Sequence, residues 1–447
     1  MGMLYSLVVA CAAVLAAPWY LLRSGLRSFP NGYWSERLGR VPESIRAPGR
    51  TGSIWIHAVS VGETLAIAGL AGEIGQRFRG HPIYLSHVTP AGRSAGEGRI
   101  QNVAGRFFLP VDLKACLRPF FEHLRPKLLI IAETELWPNL LRVAREYGTR
   151  VVLVNARLSE RSFRGYARFG FFFRGVARST DWIFAQTDQD AERFRRLGAA
   201  RVSVAGNLKF DARPPQRGEL PRAMRPALEG SGRGPVLVAG STMAGEERLV
   251  LRAWDAIRSR YPQALLILAP RHPQRFEEVA DLLAGDGRRF SRRTSLDPMD
   301  LESQLTATDI VLLNTIGELA GVFELADVAF VGGSLVPTGG HNLLEPAFWA
   351  KPVLFGPHME NFRDIAQQFL AVDAAIRVTD PESFAARVVE LFGDAELRNR
   401  VGERAQRLVQ SGSGATHRIV ERLSEWLTES IPLEVGEAAA PVEDRVR

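Results

Sequence analysis

The stretch VAFVGGSLVPTGGHNLLEPAFWAKPVLFGP, Val328 to Pro357, decides the reading of this chain. An apolar strand from Val328 to Val331 runs into a loop holding Gly332, Gly333, Gly339 and Gly340, and then into a helix opening near His341 with Glu345 in its first turns. Glycines let backbone approach a phosphate closely, and the free N–H groups and dipole of a helix start favour negative charge. The spacing therefore predicts an anion cradle at the mouth of a parallel sheet, with Glu345 placed to accept from ribose hydroxyls. An ordinary βα turn with a structural Glu is the plainer alternative.

Working outward, the same alternation of short apolar runs and helical spacing fills the chain. The strands expected are Ser53–His57, Ile83–Ser86, Phe107–Leu109, Leu128–Ala132, Val151–Val154, Trp182–Ala185 and Val202–Val204. A Pro-, Gly- and Arg-rich stretch from Pro214 to Pro235 reads as a linker. The pattern then resumes with Val236–Ala239, Leu265–Ala269, Ile310–Leu313, Val328–Val331 and Val353–Phe355. Strands alternating with helices predict an α/β protein of two doubly wound, Rossmann-like domains facing a cleft. The expected boundaries are an anchor over 1–22, an N-terminal domain over 23–213, a C-terminal domain over 214–428 and a flexible tail over 429–447. A late helical region, roughly Ala395 to Thr428, is placed to pack back across the linker.

From Met3 to Leu22 no residue is charged, which is about the length a helix needs to cross a bilayer. Trp19 and Tyr20 close the run, and Arg23, Arg27, Arg37 and Arg40 follow, so the positive-inside rule puts the body on the cytoplasmic side. A cleaved signal is disfavoured by the lack of a basic n-region. The net charge of +7 suggests acidic partners such as nucleic acid, anionic lipid or a phosphorylated substrate, yet Lys occurs only at positions 114, 127, 209 and 351, and such an Arg bias is weak evidence for a charged partner. Two cysteines, Cys11 and Cys116, exclude a disulfide framework.

Several strand ends carry candidate chemistry. Glu63, in HAVSVGET (57–64), reads either as a general base at a strand's carboxyl end or as a first-turn acid complementing the helix dipole, which would keep it ionised. Glu133 and Glu135 follow the strand ending at Ala132, and only one of them is expected to face the cleft. Lys209, in GNLKFD, is a candidate phosphate or carboxylate partner. Gly240-Ser241-Thr242 with Glu246 and Glu247, Arg271 with His272, and Gly317-Glu318-Leu319 are further loops on the second sheet's edge. Asp188-Gln189-Asp190 spells a metal-binding D-x-D, but after Thr187 it reads more simply as a helix cap. The histidines show no metal spacing. The run from Arg161 to Arg178 mixes arginines with Phe163, Tyr166, Phe169, Phe171, Phe172 and Phe173, suiting a membrane interface or phosphorylated lipid, or else aromatic core packing.

Together HAVSVGET, ETELWPN, NARLSERS, GNLKFD, PRHPQRF, IGEL and GGSLVPTGGHNLLEP resemble the 3-deoxy-D-manno-octulosonic acid (Kdo) transferases of Gram-negative bacteria, over a span from just after the anchor to about Ala366. The resemblance implies a GT-B fold and an enzyme at the inner membrane that moves Kdo from CMP-Kdo to the lipid A precursor with inversion. It implies no metal, no cofactor and no nucleic acid. It assigns Glu63 as proton acceptor, and Glu133 and Lys209 as transition-state partners. It assigns Arg271, His272, Gly317, Glu318, Leu319, Asn342, Leu343, Leu344 and Glu345 to CMP binding.

Overall fold

The computed structural model describes residues 5–7, 9, 11, 29–48, 52–211 and 218–430. The chain divides into two compact units, one running to Ala212 and resuming at Gly412, the other spanning Arg213–Ser411. Each holds a parallel sheet. In the first, β1 (Ser53–His57), β2 (Ile83–His87), β3 (Gly105–Phe108), β4 (Pro126–Ala132), β5 (Arg150–Ala156), β6 (Trp182–Ala185) and β7 (Val202–Val204) lie in the order β3-β2-β1-β4-β5-β6-β7. In the second, β8 (Val236–Thr242), β9 (Leu265–Pro270), β10 (Phe290–Arg292), β11 (Ile310–Leu312), β12 (Val328–Val331), β13 (Val353–Phe355) and β14 (Ala375–Arg377) lie in the order β10-β11-β9-β8-β12-β13-β14.

The strand order reverses between β1 and β4 in the first sheet and between β8 and β12 in the second. At such switch points successive crossovers go to opposite faces and leave a crevice beyond the strands' carboxyl ends, where ligands of open α/β sheets bind. The inner strands are buried on both faces, as Leu128 to Ala132 and Val328 to Val331 show, which is why they read as continuous apolar runs.

Two strands escape the sequence pattern, β10 and β14, and both are outermost. Each is three residues long and ends in Arg, so neither carries an apolar run. The expected linker is also corrected: Glu219–Ser231 is a helix, and its Leu220, Met224 and Leu228 enter the second unit's core. Pro221 sits in the first turn, where proline's missing N–H costs nothing, so composition alone misleads there.

The late helical region is two helices, Ala395–Gly412 and Ala415–Ser430, broken at Gly414 with φ +91°. The second of them returns to the first unit. Its Ile419, Leu423, Trp426 and Leu427 pack with Leu70 and Ile74 beneath the first sheet, so residues 412–428, expected in the C-terminal domain, belong to the first unit.

The anchor expected over 1–22 falls largely outside the described residues. Of its start, Tyr5 donates to Asp112 Oδ2 at 2.8 Å in the first unit. Among the described residues no helix is long and apolar enough to cross a membrane.

Candidate active site

Glu63 stands in the first turn of Val61–Ala66, the helix that follows β1 at the switch point. Ser60 caps that helix by accepting from the Glu63 N–H at 3.3 Å. Glu63 answers with both oxygens, Oε2 accepting from the Val59 N–H and Oε1 from the Ser60 hydroxyl, each at 2.8 Å. The dipole-complementing position open at the sequence level is thus occupied, yet the net push on the carboxyl is upward, not downward as a helix dipole alone would give. At 8% exposure, burial pushes the Glu63 carboxyl above its ordinary range, the charge of Glu135 adds to the rise, and the hydrogen bonds from Val59 and Ser60 only partly oppose it.

Glu135 is half-buried and is itself raised, first by burial and then by Glu133. Its charge also reaches Tyr166, whose hydroxyl is pushed up chiefly by burial. The acids after β4 therefore form a chain of influence, Glu133 on Glu135 and Glu135 on Glu63. Glu133 takes a left-handed backbone, φ 55°, costly for a residue with a Cβ, and its N–H is held by Val154 O at 2.9 Å. Asn155 at the end of β5 has φ 53°, and its side-chain oxygen accepts from Leu208 N–H at 3.0 Å, fixing the turn that carries half-buried Lys209. That 3-10 turn, Leu208–Asp211, packs on the Glu63 helix.

In the second unit the glycine loop after β12 forms, but its cradle is occupied by the protein itself. The N–H groups of Gly333, Ser334 and Leu335 donate to the buried Glu246 carboxylate at 2.6, 3.0 and 2.8 Å. A Cβ on Gly332 would stand 2.7 Å from Glu246 Oε2 and 2.6 Å from Ser241 O, so glycine is required there for this internal pairing. The first part of the loop is therefore corrected from an open anion site to a filled one. What remains for a ligand is the later turn, with Gly339 and Gly340 at φ +96° and +72°, leading into the helix Leu344–Phe348.

Around that turn, basic groups converge. His341 is half-buried and held down to about 4, first by burial and then by Arg271 and His272, both exposed at the end of β9. Asn342 donates to Glu345 at 3.3 Å and accepts from Leu344 N–H at 3.1 Å. Leu343 and Leu344 are buried, leaving only their backbone for a ligand. Glu318 is paired with Arg293 at 3.1 Å and accepts from the Thr315 hydroxyl, beside Gly317 at φ +89°. Leu319 packs against the core below.

Sequence reading left His341 and Asn155 out of the site and kept Glu135 as the alternative to Glu133. His341 lay inside a quoted motif, whereas Glu246 was read as an acid in another loop on the second sheet's edge, not as the partner of the glycine loop. Asp190 pairs with Thr187 in a helix cap, its N–H donating at 3.1 Å and its carboxylate accepting at 2.6 Å, as the cap reading has it. Among the described residues no group of three His, Cys, Asp or Glu is placed to hold a metal.

Residues 32–212 match the family described as 3-deoxy-D-manno-octulosonic-acid transferase. The chain is 35% identical to the 3-deoxy-D-manno-octulosonic acid transferase of Bordetella pertussis, over 87% of this chain and 89% of that protein. It is 33% identical to that of Haemophilus influenzae, over 85% and 88%. A crystal structure of a glycosyltransferase from Rickettsia africae is similar in fold, with TM-score 0.52 at 13% identity, covering 85% of this chain and all of that one. The last likeness concerns fold alone, two parallel-sheet α/β domains of the GT-B kind.

Proposed function

Because this chain belongs to the 3-deoxy-D-manno-octulosonic acid (Kdo) transferase family, we propose that it moves Kdo from CMP-Kdo to the lipid A precursor by a single inverting displacement, with Glu63 as base. Glu63 takes the proton of the acceptor hydroxyl, whose oxygen bonds to the anomeric carbon of Kdo. The bond from that carbon to the CMP phosphate breaks, and its electron pair leaves with CMP. Negative charge thus grows on phosphate while the sugar becomes oxocarbenium-like.

The observation that carries this reading is the environment of Glu63. A carboxylate raised by burial and by Glu135 at a switch point is a stronger base than one on an open surface. Glu133 and Lys209, held by strained or braced turns at the same sheet edge, serve the charge that develops on the sugar and acceptor. On the donor side Arg271 and His272 face the phosphate, the backbone N–H groups of Asn342 and Leu343 supply donors while that of Leu344 is held by Asn342, Glu345 meets ribose, and Gly317 to Leu319 line the cytosine. With the Gly333 to Leu335 donors engaged by Glu246, phosphate stabilisation rests on the later turn and on Arg271.

The lipid acceptor implies work at the inner membrane, with the body on the cytoplasmic side and residues 1–22 as anchor. Phe169 and Phe171 are 64% and 81% exposed among Arg161, Arg164, Arg168 and Arg174, also exposed, which supports contact with a phosphorylated lipid surface. The test of the base is Glu63→Gln, which keeps an oxygen for the Val59 N–H and so preserves the cap. Transfer from CMP-Kdo to lipid IVA, followed by mass spectrometry, is expected to fall by about 10²–10⁴ while calorimetric CMP binding persists. Unchanged transfer would remove Glu63 from the mechanism.

A further inference from the structure

The loop that gives Glu63 its hydrogen-bond donors is itself held from a second strand. Val59 and Ser60 supply a backbone N–H and a hydroxyl to the Glu63 carboxyl, each at 2.8 Å. Just before them the Ala58 N–H donates to Ser86 O at 3.0 Å, continuing the pairing of β1 with β2. Beyond that point the end of β2 grips the loop. His87 Nδ1 lies 3.1 Å from Ala58 O, and Thr89 donates to Val59 O from its hydroxyl at 3.0 Å and from its N–H at 3.3 Å.

The tautomer of His87 follows from its neighbours. The Thr64 hydroxyl gives its one hydrogen to Ser60 O at 2.8 Å, so toward His87 Nδ1, 3.3 Å away, its oxygen only accepts. Nδ1 therefore carries the hydrogen and donates to Ala58 O. That carbonyl shares a peptide group with the Val59 N–H, so donation to the one strengthens the other's bond to Glu63. Thr89 also caps the helix Pro90–Arg99, accepting from the Gly92 N–H at 3.1 Å. Capping needs only an acceptor oxygen, so it does not account for the hydrogen given to Val59 O. Two glycines let that helix press on the loop. A Cβ on Gly92 would stand 3.0 Å from both Thr89 Oγ1 and Val59 O, and one on Gly96 would stand 3.0 Å from His87 Nε2.

Resting on the reading of Glu63 as base, we propose that His87 and Thr89 are positioning residues for the transfer, clamping the Ala58–Val59 and Val59–Ser60 peptide groups so that the Val59 N–H and the Ser60 hydroxyl hold the Glu63 carboxylate in one orientation. Two of the carboxylate's roughly four lone-pair sites are then engaged, and the others stay available for the acceptor's proton. A base held in this way keeps its reach to a bound hydroxyl, and a displacement of about 1 Å can cost on the order of 10²-fold in rate.

Transfer from CMP-Kdo to lipid IVA by the full chain tests the clamp in Thr89→Val, which keeps the shape of the side chain and loses the hydroxyl, against Thr89→Ser, which restores it. In Thr89→Val kcat is expected to fall by about 10–10²-fold, with calorimetric CMP binding unchanged. The acid limb of its kcat/KM profile is expected to move to higher pH, because the Val59 hydrogen bond favours ionised Glu63 and is loosened. Around Glu63 stand Glu135 after β4, Lys209 and Asp211 on the 3-10 turn, Glu73 on the next helix, and His87 and Arg93 from the β2 side, all unaltered in these variants. His87, held down to about 4, stays neutral over that limb. Thr89→Ser is expected to recover both rate and limb. Should Thr89→Val fail to fold, Gly92→Ala decides instead, since its Cβ meets Val59 O and is expected to give the same loss and the same displaced limb. A lower kcat with the limb in place, or a serine variant as impaired as the valine one, reduces Thr89 to a helix cap and overturns the proposal. If Glu63→Gln abolishes transfer while Thr89→Val leaves it intact, the clamp alone fails; if Glu63→Gln transfers normally, the base assignment fails and takes the clamp with it.

Discussion

Glu63 is both a helix cap and an acid pushed upward by its surroundings, and the second property can be tested without touching it. Glu135 contributes to the rise through its charge, so Glu135→Gln removes that repulsion and lowers the Glu63 carboxyl. A base must be ionised, so the acid limb of the kcat/KM profile is expected to move to lower pH in this variant. A limb that stays in place would detach Glu135 from the base. Sequence reading picked out Glu63 and Lys209 as candidates because each lies in a compact motif at a strand end. It did not show Glu246 in the cradle, because that pairing joins Gly333 to a residue 87 positions away. Nor did it show which of Glu133 and Glu135 acts on Glu63, since the left-handed turn at Glu133 breaks the two-residue alternation a continuing strand would have kept.

At the level of elements, the last helix shows how a distant segment completes a domain. Asp211, closing the 3-10 turn of Lys209, accepts from Gly414 N–H at 2.6 Å, from Ala415 N–H at 3.2 Å and from Thr416 N–H, so it caps the helix Ala415–Ser430. Asp211→Ala leaves three helix-start donors unmet, and the expected loss is about 1–2 kcal/mol, read as a lower denaturant midpoint for the first unit. Asp211→Asn should retain part of it. An unchanged midpoint in the alanine variant would deny the cap its structural role. The helix was legible as an amphipathic pattern, and its return across the linker was foreseen, but its capping acid was not. The helix Glu219–Ser231 went unread because its prolines and glycines imitate a linker. Strands β10 and β14 went unread because an edge strand needs no continuous apolar run.

Across the whole molecule, buried histidines set a shared response to acid. His57 and His87, both 0% exposed, are held down to about 3 and about 4, chiefly by burial. Unfolded histidines take up protons near pH 6.5, while these refuse them until far lower, so unfolding binds protons in between. Stability contributed by the neutral rings is present above about 6.5 and is lost as pH falls toward about 4. Thermal melts of the first unit's transition should therefore shift downward through that window, and a flat profile would contradict the burial of these rings as neutral groups. What the sequence by itself determined is the pair of parallel sheets, most of their strands and the motifs at their carboxyl ends, because apolar runs, glycine loops and helix starts are local signals. Only the tertiary structure decided that strand order reverses beside Glu63 and beside the glycine loop, that Glu246 fills the first cradle, and that the last helix belongs to the first unit. Those outcomes depend on contacts between residues far apart in the chain, where burial and hydrogen-bond satisfaction, rather than local propensity, choose the partner.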